Sequence, residues 1–335
     1  MTDPQRRAVP PSGNRSAPRV AVIVPAYGVA HLLGDALDSL RAQTMQDWEC
    51  VVVDDGAPDD VAGAVAPFLA DDRIRFLQTG NGGVSKARNR AIAETTAPLI
   101  ALLDGDDMLR PDYLETMTAA IEGDQEARIV TCNARIFGAV PEERECFAGK
   151  QGTGDGKRGS LSDVLDRSFG VYIGSTFRRA DFDAVGGFDT SMTHAEDFDL
   201  WVRLVLLGGH ALYVDRVLAD YRVRGNSASA ATLNMIKGNI RTCEKALKAL
   251  PADTPEADTA RHMIARNERD LRFEQAIDRV IDGDRSAIAD LAAARGPAQG
   301  KTWDMAFLLW RIAPFLAPSM LERRRKANAR GAAAG

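Results

Sequence analysis

The sequence is poor in cysteine and histidine, and each shortage excludes a class of protein. Its four cysteines, Cys50, Cys132, Cys146 and Cys243, lie far apart and form no CxxC pair. This spacing argues against a disulfide framework and favours buried thiols in a reducing compartment. No two of the four histidines stand at the spacing of metal ligands, which argues against a zinc site.

Excess positive charge and long apolar runs are also missing. A net charge of -5, without a basic stripe interleaved with aromatics, gives no attraction for nucleic acid. The most apolar late segment, "MAFLLWRIAPFLAPSM", contains Arg311 and two prolines and is shorter than the ~20 residues that cross a bilayer. The first residues, rich in Pro, Ser and Arg, show no signal peptide, so a cytoplasmic protein is predicted.

What the chain does contain is a globular composition, with 45% hydrophobic and 27% charged residues over 335 positions. Three apolar segments, 19–27, 48–56 and 97–107, are rich in β-branched residues and do not alternate with polar ones, as in central parallel strands. Helical patterns lie between them. This order predicts an α/β fold with an open, doubly wound, mainly parallel sheet.

The domain organisation follows from the same patterns. We predict a disordered tail over 1–18 and one domain over 19–230. The domain divides into a first half (19–110) and a second half (111–230). Beyond that point the pattern is helical, which predicts a C-terminal extension over 231–330.

The stretch "LIALLDGDDMLRPDYL" ends an apolar strand in a run of aspartates. Asp104 and Asp106 are two positions apart, so both can face one ligand, and their oxygens suit Mg²⁺ or Mn²⁺ shared with a phosphate. The alternative is a solvated acidic turn before a helix that Pro111 starts, with Asp107 or Asp112 serving the helix end. A second pair, Asp54 and Asp55 at the end of another strand, favours the metal site.

Six ordered motifs, "VAVIVPAYG", "VVVDDGAPDD", "NGGVSKARNRAI", "LLDGDDMLRPDYL", "GGFD" and "EDFDLWVRL", resemble a family 2 glycosyltransferase of GT-A fold over residues 19–226. The resemblance implies an inverting, hexosyltransferase-type enzyme of glycan or polysaccharide synthesis. Its donor would be a nucleotide-diphospho-sugar, with a UDP-sugar favoured, and its cofactor would be a divalent cation. Its acceptor would be a hydroxyl of a glycan or of a lipid-linked sugar. The half 19–110 would bind the nucleotide-sugar, and the half 111–230 would lie on the acceptor side.

Carried over by position, the resemblance implies a set of donor-binding residues: Pro25, Ala26, Tyr27, Asp54, Asp55, Gly82, Gly83, Arg88, Asp104, Gly105, Arg222 and Arg224. The Tyr27 ring would stack on the base, and Asp54 and Asp55 would accept hydrogen bonds from a uracil-type base edge or the ribose. Asp104 and Asp106 match the metal-binding DxD.

One position departs from the family. Arg224 stands where the family often has a histidine, which removes a third metal ligand from the prediction. Arg222 and Arg224 would instead bind the diphosphate directly. The alternative for both arginines is a solvated basic loop.

Asp197 of "AEDFDLW" matches the family's general base. It lies in the first turn of an apolar helix, where the helix dipole favours the ionised carboxylate that takes a proton. Glu196 is about 100° away around the helix, so both side chains cannot point into one cleft. The alternative is a charged helix start with an Asp199–Arg203 pair at i, i+4.

Other functional classes fit less well. A dinucleotide-dependent dehydrogenase would need GxGxxG after the first strand, and "GPAQGKT" has the wrong spacing and context for a P-loop. A glycosidase would have no use for a metal pair at a strand end. The serious alternative is a catalytically silent module that binds nucleotide-sugars or glycans.

The tail "TWDMAFLLWRIAPFLAPSMLERRRKANAR" combines an apolar segment with clustered cations. An interfacial helix at the inner face of the cytoplasmic membrane is predicted from its large apolar residues, followed by the basic run 323–326: Trp303, Phe307, Trp310, Phe315 and Leu316. In the alternative, these aromatics pack on the transferase domain or on the mate of a homodimer, because Pro314 and Pro318 break a long amphipathic helix.

Overall fold

A computed structural model describes residues 17–147, 157–224, 232–296 and 300–332. The predicted tail over 1–18 lies outside the described residues except for its last two positions. The predicted boundary between the domain and the extension, at 230–231, lies outside them as well.

Ten strands and twelve helices are present in the described residues. The strands are β1 (Val20–Ala26), β2 (Trp48–Asp55), β3 (Ile74–Thr79), β4 (Leu99–Leu102), β5 (Met108–Leu109), β6 (Ala127–Gly138), β7 (Arg144–Glu145), β8 (Arg158–Gly159), β9 (Thr176–Arg178) and β10 (His210–Val223). The helices are α1 (Ala30–Arg41), α2 (Val61–Val65), α3 (Val84–Ala93), α4 (Tyr113–Gly123), α5 (Leu161–Asp166), α6 (Arg179–Ala184), α7 (Glu196–Val205), α8 (Thr232–Ala249), α9 (Pro255–Ile281), α10 (Ala287–Ala293), α11 (Lys301–Ile312) and α12 (Ala317–Ala332).

One mixed sheet runs through the described part of the domain in the order β3-β2-β1-β4-β9-β6-β10-β5. Strands β3, β2, β1 and β4 are parallel, which confirms the prediction for the three apolar segments. Strand β9 is antiparallel to both β4 and β6 and joins the two groups of strands. The α/β class with a mainly parallel sheet is therefore confirmed.

The sheet is covered on both faces, which explains why its central strands show no alternation. Every residue from Val20 to Val24 is fully buried. Val20, Val22 and Val24 pack into the core on one face, while Ala21 and Ile23 pack into the core on the other. Because successive strand side chains point to opposite faces, both sets must be apolar.

Strand β10 carries distant residues to the end of β4. The short strand β5 pairs antiparallel with it, Met108 opposite Asp220 and Leu109 opposite Ala219. The chain after Asp220 therefore runs back past residues 107 to 104. This pairing brings Arg222 and Arg224 to the acidic turn.

The C-terminal helices belong to two cores. Cys243 and Ala246 of α8 and Met263 of α9 share the core on one face of the sheet. The second half of α9 forms a separate core with α10, α11 and α12, which includes Phe273 and Trp310. The 27-residue helix α9 is thus common to both cores. No helix in the described part of the chain is long and apolar enough to cross a membrane.

The aromatics of the tail lie inside this second core. Trp303 and Trp310 are 8% and 2% exposed, and the Trp303 ring lies 4.9 Å from that of Phe273. The prediction that these tryptophans face a membrane is wrong, because α9 of the same chain covers them. All four cysteines are free thiols, and Cys50, Cys132 and Cys243 are buried as predicted.

A buried ion pair fixes α8 to α7. Asp199 is fully buried and accepts hydrogen bonds from Arg203 of its own helix (2.7 Å) and from Lys245 of α8 (2.5 Å). Lys245 also contacts Asp189, at 3.0 Å. The predicted Asp199–Arg203 pair is therefore present, together with a cation from the C-terminal extension.

We expect Lys245→Met to lower the free energy of unfolding by about 1–3 kcal/mol, because Asp199 loses a charged donor that burial prevents water from replacing. Urea unfolding followed by circular dichroism measures this change. Lys248→Met, at an exposed position of the same helix, is the matched control and should stay within about 0.5 kcal/mol of the parent chain. Equal effects of the two substitutions would show that Lys245 does not fix α8.

Candidate active site

The acidic turn after β4, residues 104–107, lies at the carboxyl edge of the parallel strands. The side chains of Asp104 and Asp106 are 29% and 15% exposed, so a ligand at this edge of the sheet can reach both. Each is paired with an arginine: Asp104 with Arg88 at 2.7 Å and Asp106 with Arg224 at 2.7 Å. The turn therefore draws cations from two distant parts of the chain.

Asp107 has a different role from its two neighbours. It is 1% exposed and accepts hydrogen bonds from the Arg222 backbone N–H (2.8 Å) and from the Tyr172 hydroxyl (2.9 Å). Burial, and then the charges of Asp104 and Asp106, raise the pKa of Asp107 well above its ordinary value. Asp107 is thus an internal anchor of the turn and does not serve a helix end, the role that the alternative interpretation gave it.

Burial also raises the pKa of Asp106, and the charge of Asp104 adds to the rise. The charges of Arg224 and Arg222 oppose this rise without cancelling it. Carboxylate oxygens are the ligands that Mg²⁺ and Mn²⁺ prefer, so Asp104 and Asp106 fit a divalent cation that takes its remaining ligands from phosphate and water. The described residues contain no group of three or more His, Cys, Asp or Glu side chains that could hold a metal alone.

Arg222 and Arg224 both lie against the acidic turn. The Arg222 guanidinium donates to the Asp106 carbonyl oxygen (2.9 Å) and to Asp35 (2.7 Å), and it stacks on Phe137. Arg224 donates to the Gly28 carbonyl oxygen at 3.3 Å besides its contact with Asp106. The solvated basic loop that stood as the alternative for these two arginines does not describe them.

Arg88 of α3 joins two motifs that are far apart in the sequence. Its guanidinium is 3% exposed and contacts Asp104 at 2.7 Å and Glu196 at 3.0 Å. Burial raises the pKa of Glu196, and Asp197 adds to the rise, while Arg88 opposes it. Sequence reasoning placed Arg88 near the nucleotide and did not foresee this link, because nothing local pairs α3 with α7.

The strand ends of β1 and β2 support the loops beside them. Asp54 accepts hydrogen bonds from the Ala57 N–H (2.8 Å) and the Gln78 side chain (3.0 Å). Asp55 accepts from the N–H groups of Gly82 and Gly83, both at 2.8 Å. Both aspartates are buried and order the loops that flank the cleft.

Tyr27 presents an open ring at the same edge, with 52% of the residue exposed. Pro25 and Ala26, which precede it, complete β1, and Ala26 is fully buried. Asp59 was missed by sequence reasoning and holds the loop that follows: it accepts from the N–H groups of Gly28 (3.1 Å) and Ala30 (2.7 Å). The second acidic pair of "VVVDDGAPDD" was the signal that could have identified it.

Gly105 allows the acidic turn to approach this loop closely. A Cβ atom there would lie 3.2 Å from the Pro25 carbonyl oxygen and 3.0 Å from a Val29 methyl. The turn and the Tyr27 loop are therefore in contact through backbone. The predicted donor-side residues of both motifs come together at one edge of the sheet.

Helix α7, which carries Asp197, begins beside the acidic turn, because Arg88 contacts both Glu196 and Asp104. The residue before the helix, Ala195, has a left-handed backbone (φ 58°) that turns the chain into it. Asp197 is half-buried, and its Oδ1 accepts the N–H of Phe198 at 2.7 Å. Gly238 of α8 packs against this entry, since a Cβ there would lie 2.6 Å from the His194 carbonyl oxygen.

Comparison with known proteins agrees with this architecture. The structure of S. aureus TarS 1-349 in complex with UDP-GlcNAc aligns with a TM-score of 0.62 over 94% of this chain and 90% of that one, at 16% identity. The mannosyltransferase PcManGT from Pyrobaculum calidifontis, in complex with GDP-Man and Mn²⁺, aligns with a TM-score of 0.57 over 95% of this chain and 86% of that one, at 20% identity. At such identities these likenesses show the fold, which is of GT-A type.

The sequence itself identifies the family. Residues 21–186 match the model of glycosyl transferase family 2. The uncharacterized glycosyltransferase EpsJ of Bacillus subtilis is 38% identical over 110 residues, which are 32% of this chain and 32% of EpsJ. The chain thus spans about a third of that relative's length. The chain belongs to glycosyl transferase family 2, as its motifs indicated.

We expect Arg88→Met to lower the free energy of unfolding by about 2–3 kcal/mol, because it leaves two carboxylates without their shared cation. The loss is below that of a fully buried pair, since Asp104 retains contact with water. Arg90→Met is the matched control, because Arg90 is exposed and its ion pair is with Glu94, just after the same helix, in a contact worth less than about 0.5 kcal/mol. Similar urea midpoints for the two variants would show that Arg88 does not hold α3 to α7.

Proposed function

We propose that the chain is an inverting glycosyltransferase that moves a sugar from a nucleotide-diphospho-sugar, with a UDP-sugar favoured, to a hydroxyl of a glycan or lipid-linked acceptor. The observation that carries the proposal is the meeting of three motifs: the acidic turn, the arginines at the end of β10, and the start of α7. The nucleotide-sugars named for TarS and PcManGT support this donor class.

The donor half of the site would bind the nucleoside. The exposed Tyr27 ring would stack on the base, and the loops that Asp55 and Asp59 hold would form the pocket walls. Asp54 and Asp55 retain free lone pairs for a base edge or the ribose, because each carboxylate oxygen can accept more than one hydrogen bond. Gly82 and Gly83 let the backbone approach the nucleotide.

The arginines at the end of β10 would stabilise the leaving group. The nucleoside diphosphate gains negative charge as the glycosidic bond breaks, and Arg222 and Arg224 are fixed beside the acidic turn where it would lie. A Mg²⁺ or Mn²⁺ ion held by Asp104 and Asp106 would act as a Lewis acid toward the diphosphate oxygens. When the metal is bound, Arg224 would exchange its present contact with Asp106 for one with a phosphate of the donor.

Asp197 would take the proton from the acceptor. The acceptor oxygen attacks the anomeric carbon from the face opposite the diphosphate, the bond to the diphosphate breaks, and the hydroxyl proton passes to the Asp197 carboxylate. Glu196 forms an ion pair with Arg88, at 3.0 Å, whereas the hydrogen bond of Asp197 is with its own helix and the charges of Arg88 and Arg167 act on it without an ion pair among the described residues. This difference favours Asp197 over its neighbour as the base.

A donor panel tests the proposed class. UDP-sugars should release UDP slowly to water in the presence of Mn²⁺, GDP-mannose should be a poorer donor, and excess chelator should suppress release.

Asp106→Asn should abolish turnover and weaken Mn²⁺-dependent UDP binding in calorimetry, because it removes a charged ligand. Asp38→Asn, at an exposed position of α1, is the control and should leave both unchanged.

Two results would contradict this assignment. Donor binding without any release of nucleoside diphosphate, even with acceptor glycans present, would favour the silent binding module. Full activity of Asp106→Asn in excess chelator would remove the metal from the mechanism.

Asp197→Asn should lower kcat by at least about 100-fold while the Kd for UDP stays within a few fold, because the amide cannot take a proton but keeps the shape of the side chain. Single-turnover kinetics and calorimetry separate the two effects. Asp183→Asn, at an exposed position of α6, is the matched control. If Glu196→Gln lowers kcat as much as Asp197→Asn without loss of stability, the base has been assigned to the wrong carboxylate.

A further inference from the structure

Helix α11 is apolar on two opposite faces, and only one of them is covered. Trp303 and Trp310 pack against the second core, with Phe307 between them. On the other side Met305, Leu308 and Ile312 are 74%, 62% and 82% exposed. Their spacing of three, four and seven residues places them on one face.

This face continues beyond the helix. The exposed apolar face consists of Met305, Leu308, Leu309, Ile312, Phe315 and Met320. Among the residues that the structure describes, only three other large hydrophobic side chains are as exposed, and they lie at separate places: Tyr27, Leu69 and Leu207. A contiguous set of this kind marks an interaction surface, whereas single exposed residues do not.

The charges beside this face are positive, although the chain as a whole carries -5. Between positions 301 and 330 the sequence has the cations Lys301, Arg311, Arg323, Arg324, Arg325, Lys326 and Arg330. The acids of the same segment are Asp304 and Glu322. Asp304 is in contact with Arg295, so its charge is already balanced.

The structure places part of this charge next to the exposed apolar face. Arg311 lies on α11 itself and is exposed. Helix α12 folds back on α11, since Met320 accepts a hydrogen bond from Trp310 and the Arg324 guanidinium lies 4.7 Å from the Trp303 ring. Arg323 is exposed as well and comes three residues after Met320, which places the two on the same face of α12.

We propose that the exposed apolar face docks on the surface of an anionic lipid bilayer. Its side chains would enter the boundary between headgroups and acyl chains, and Arg311 and Arg323 would contact lipid phosphates. Trp303 and Trp310, which were first expected at the membrane, instead hold the opposite face of α11 on the second core. None of the residues of the acidic turn takes part, so the inference is independent of the proposed transfer reaction.

Charge favours a membrane over a second copy of the chain as the occupant. A two-fold symmetric contact brings a surface patch onto itself. A second copy would therefore bring the same excess of cations to the contact, since the acids of the segment are Asp304 and Glu322 and Asp304 is already paired with Arg295. An anionic lipid surface supplies the opposite charge over the whole face.

The test is co-sedimentation of the full chain with vesicles at low ionic strength. The chain should bind vesicles made of equal parts phosphatidylglycerol and phosphatidylcholine, and binding should fall by about tenfold with phosphatidylcholine alone or at high salt. Leu308→Asp with Ile312→Asp should lower binding by at least about tenfold, because charge is placed in the inserted face. Arg311→Gln with Arg323→Gln should weaken binding to the anionic vesicles only.

Leu69→Asp, at an exposed apolar position of the other end of the chain, is the matched control and should bind as the parent does. Circular dichroism confirms that each variant is folded, and UDP release gives a separate readout of the transfer site. No binding of the parent chain, or an equal loss in Leu69→Asp, would overturn the proposal. A dimer in light scattering that Ile312→Asp dissociates, without vesicle binding, would assign the face to a second copy instead.

Discussion

The site depends on how the negative charge of the acidic turn is balanced. Three aspartates within four positions repel one another, and burial of Asp106 and Asp107 strengthens the repulsion. The chain compensates with cations from separate elements: Arg88 from α3, and Arg222 and Arg224 from the end of β10. Each arginine also contacts a further motif, so the charge balance holds the cleft together.

The strands and most of the helices could be predicted because their signals are local. The segment 20–24 is buried on both faces of the sheet, and its uninterrupted apolar composition predicts this burial. The acidic turn and the entry to α7 were likewise visible as short motifs at the ends of apolar segments. Family resemblance then supplied roles for residues such as Asp197, which local pattern alone could not distinguish from a charged helix start.

The rest of the site depends on contacts between distant segments, which the sequence does not display. The Arg88–Glu196 pair joins positions 108 residues apart, and Asp59 reaches back to the loop after β1. The tail shows the same limit in another form. Its apolar residues occur all around α11, so periodicity could not say which face α9 would cover, and the tryptophans were assigned to the wrong one.

The adjacent carboxylates of α7 show how one ion pair can separate two similar residues. Glu196 and Asp197 share the same helix end and the same dipole, so neither of these effects distinguishes them. The contact with Arg88 does, because a protonated Glu196 would leave this buried cation with Asp104 as its one remaining ion-pair partner among the described residues. Asp197 forms no such ion pair among the described residues, although the charges of Arg88 and Arg167 act on it, and its hydrogen bond to the helix backbone fixes its position. In the proposed reaction, the arginine that balances the acidic turn therefore also leaves Asp197, rather than Glu196, to take the proton of the acceptor.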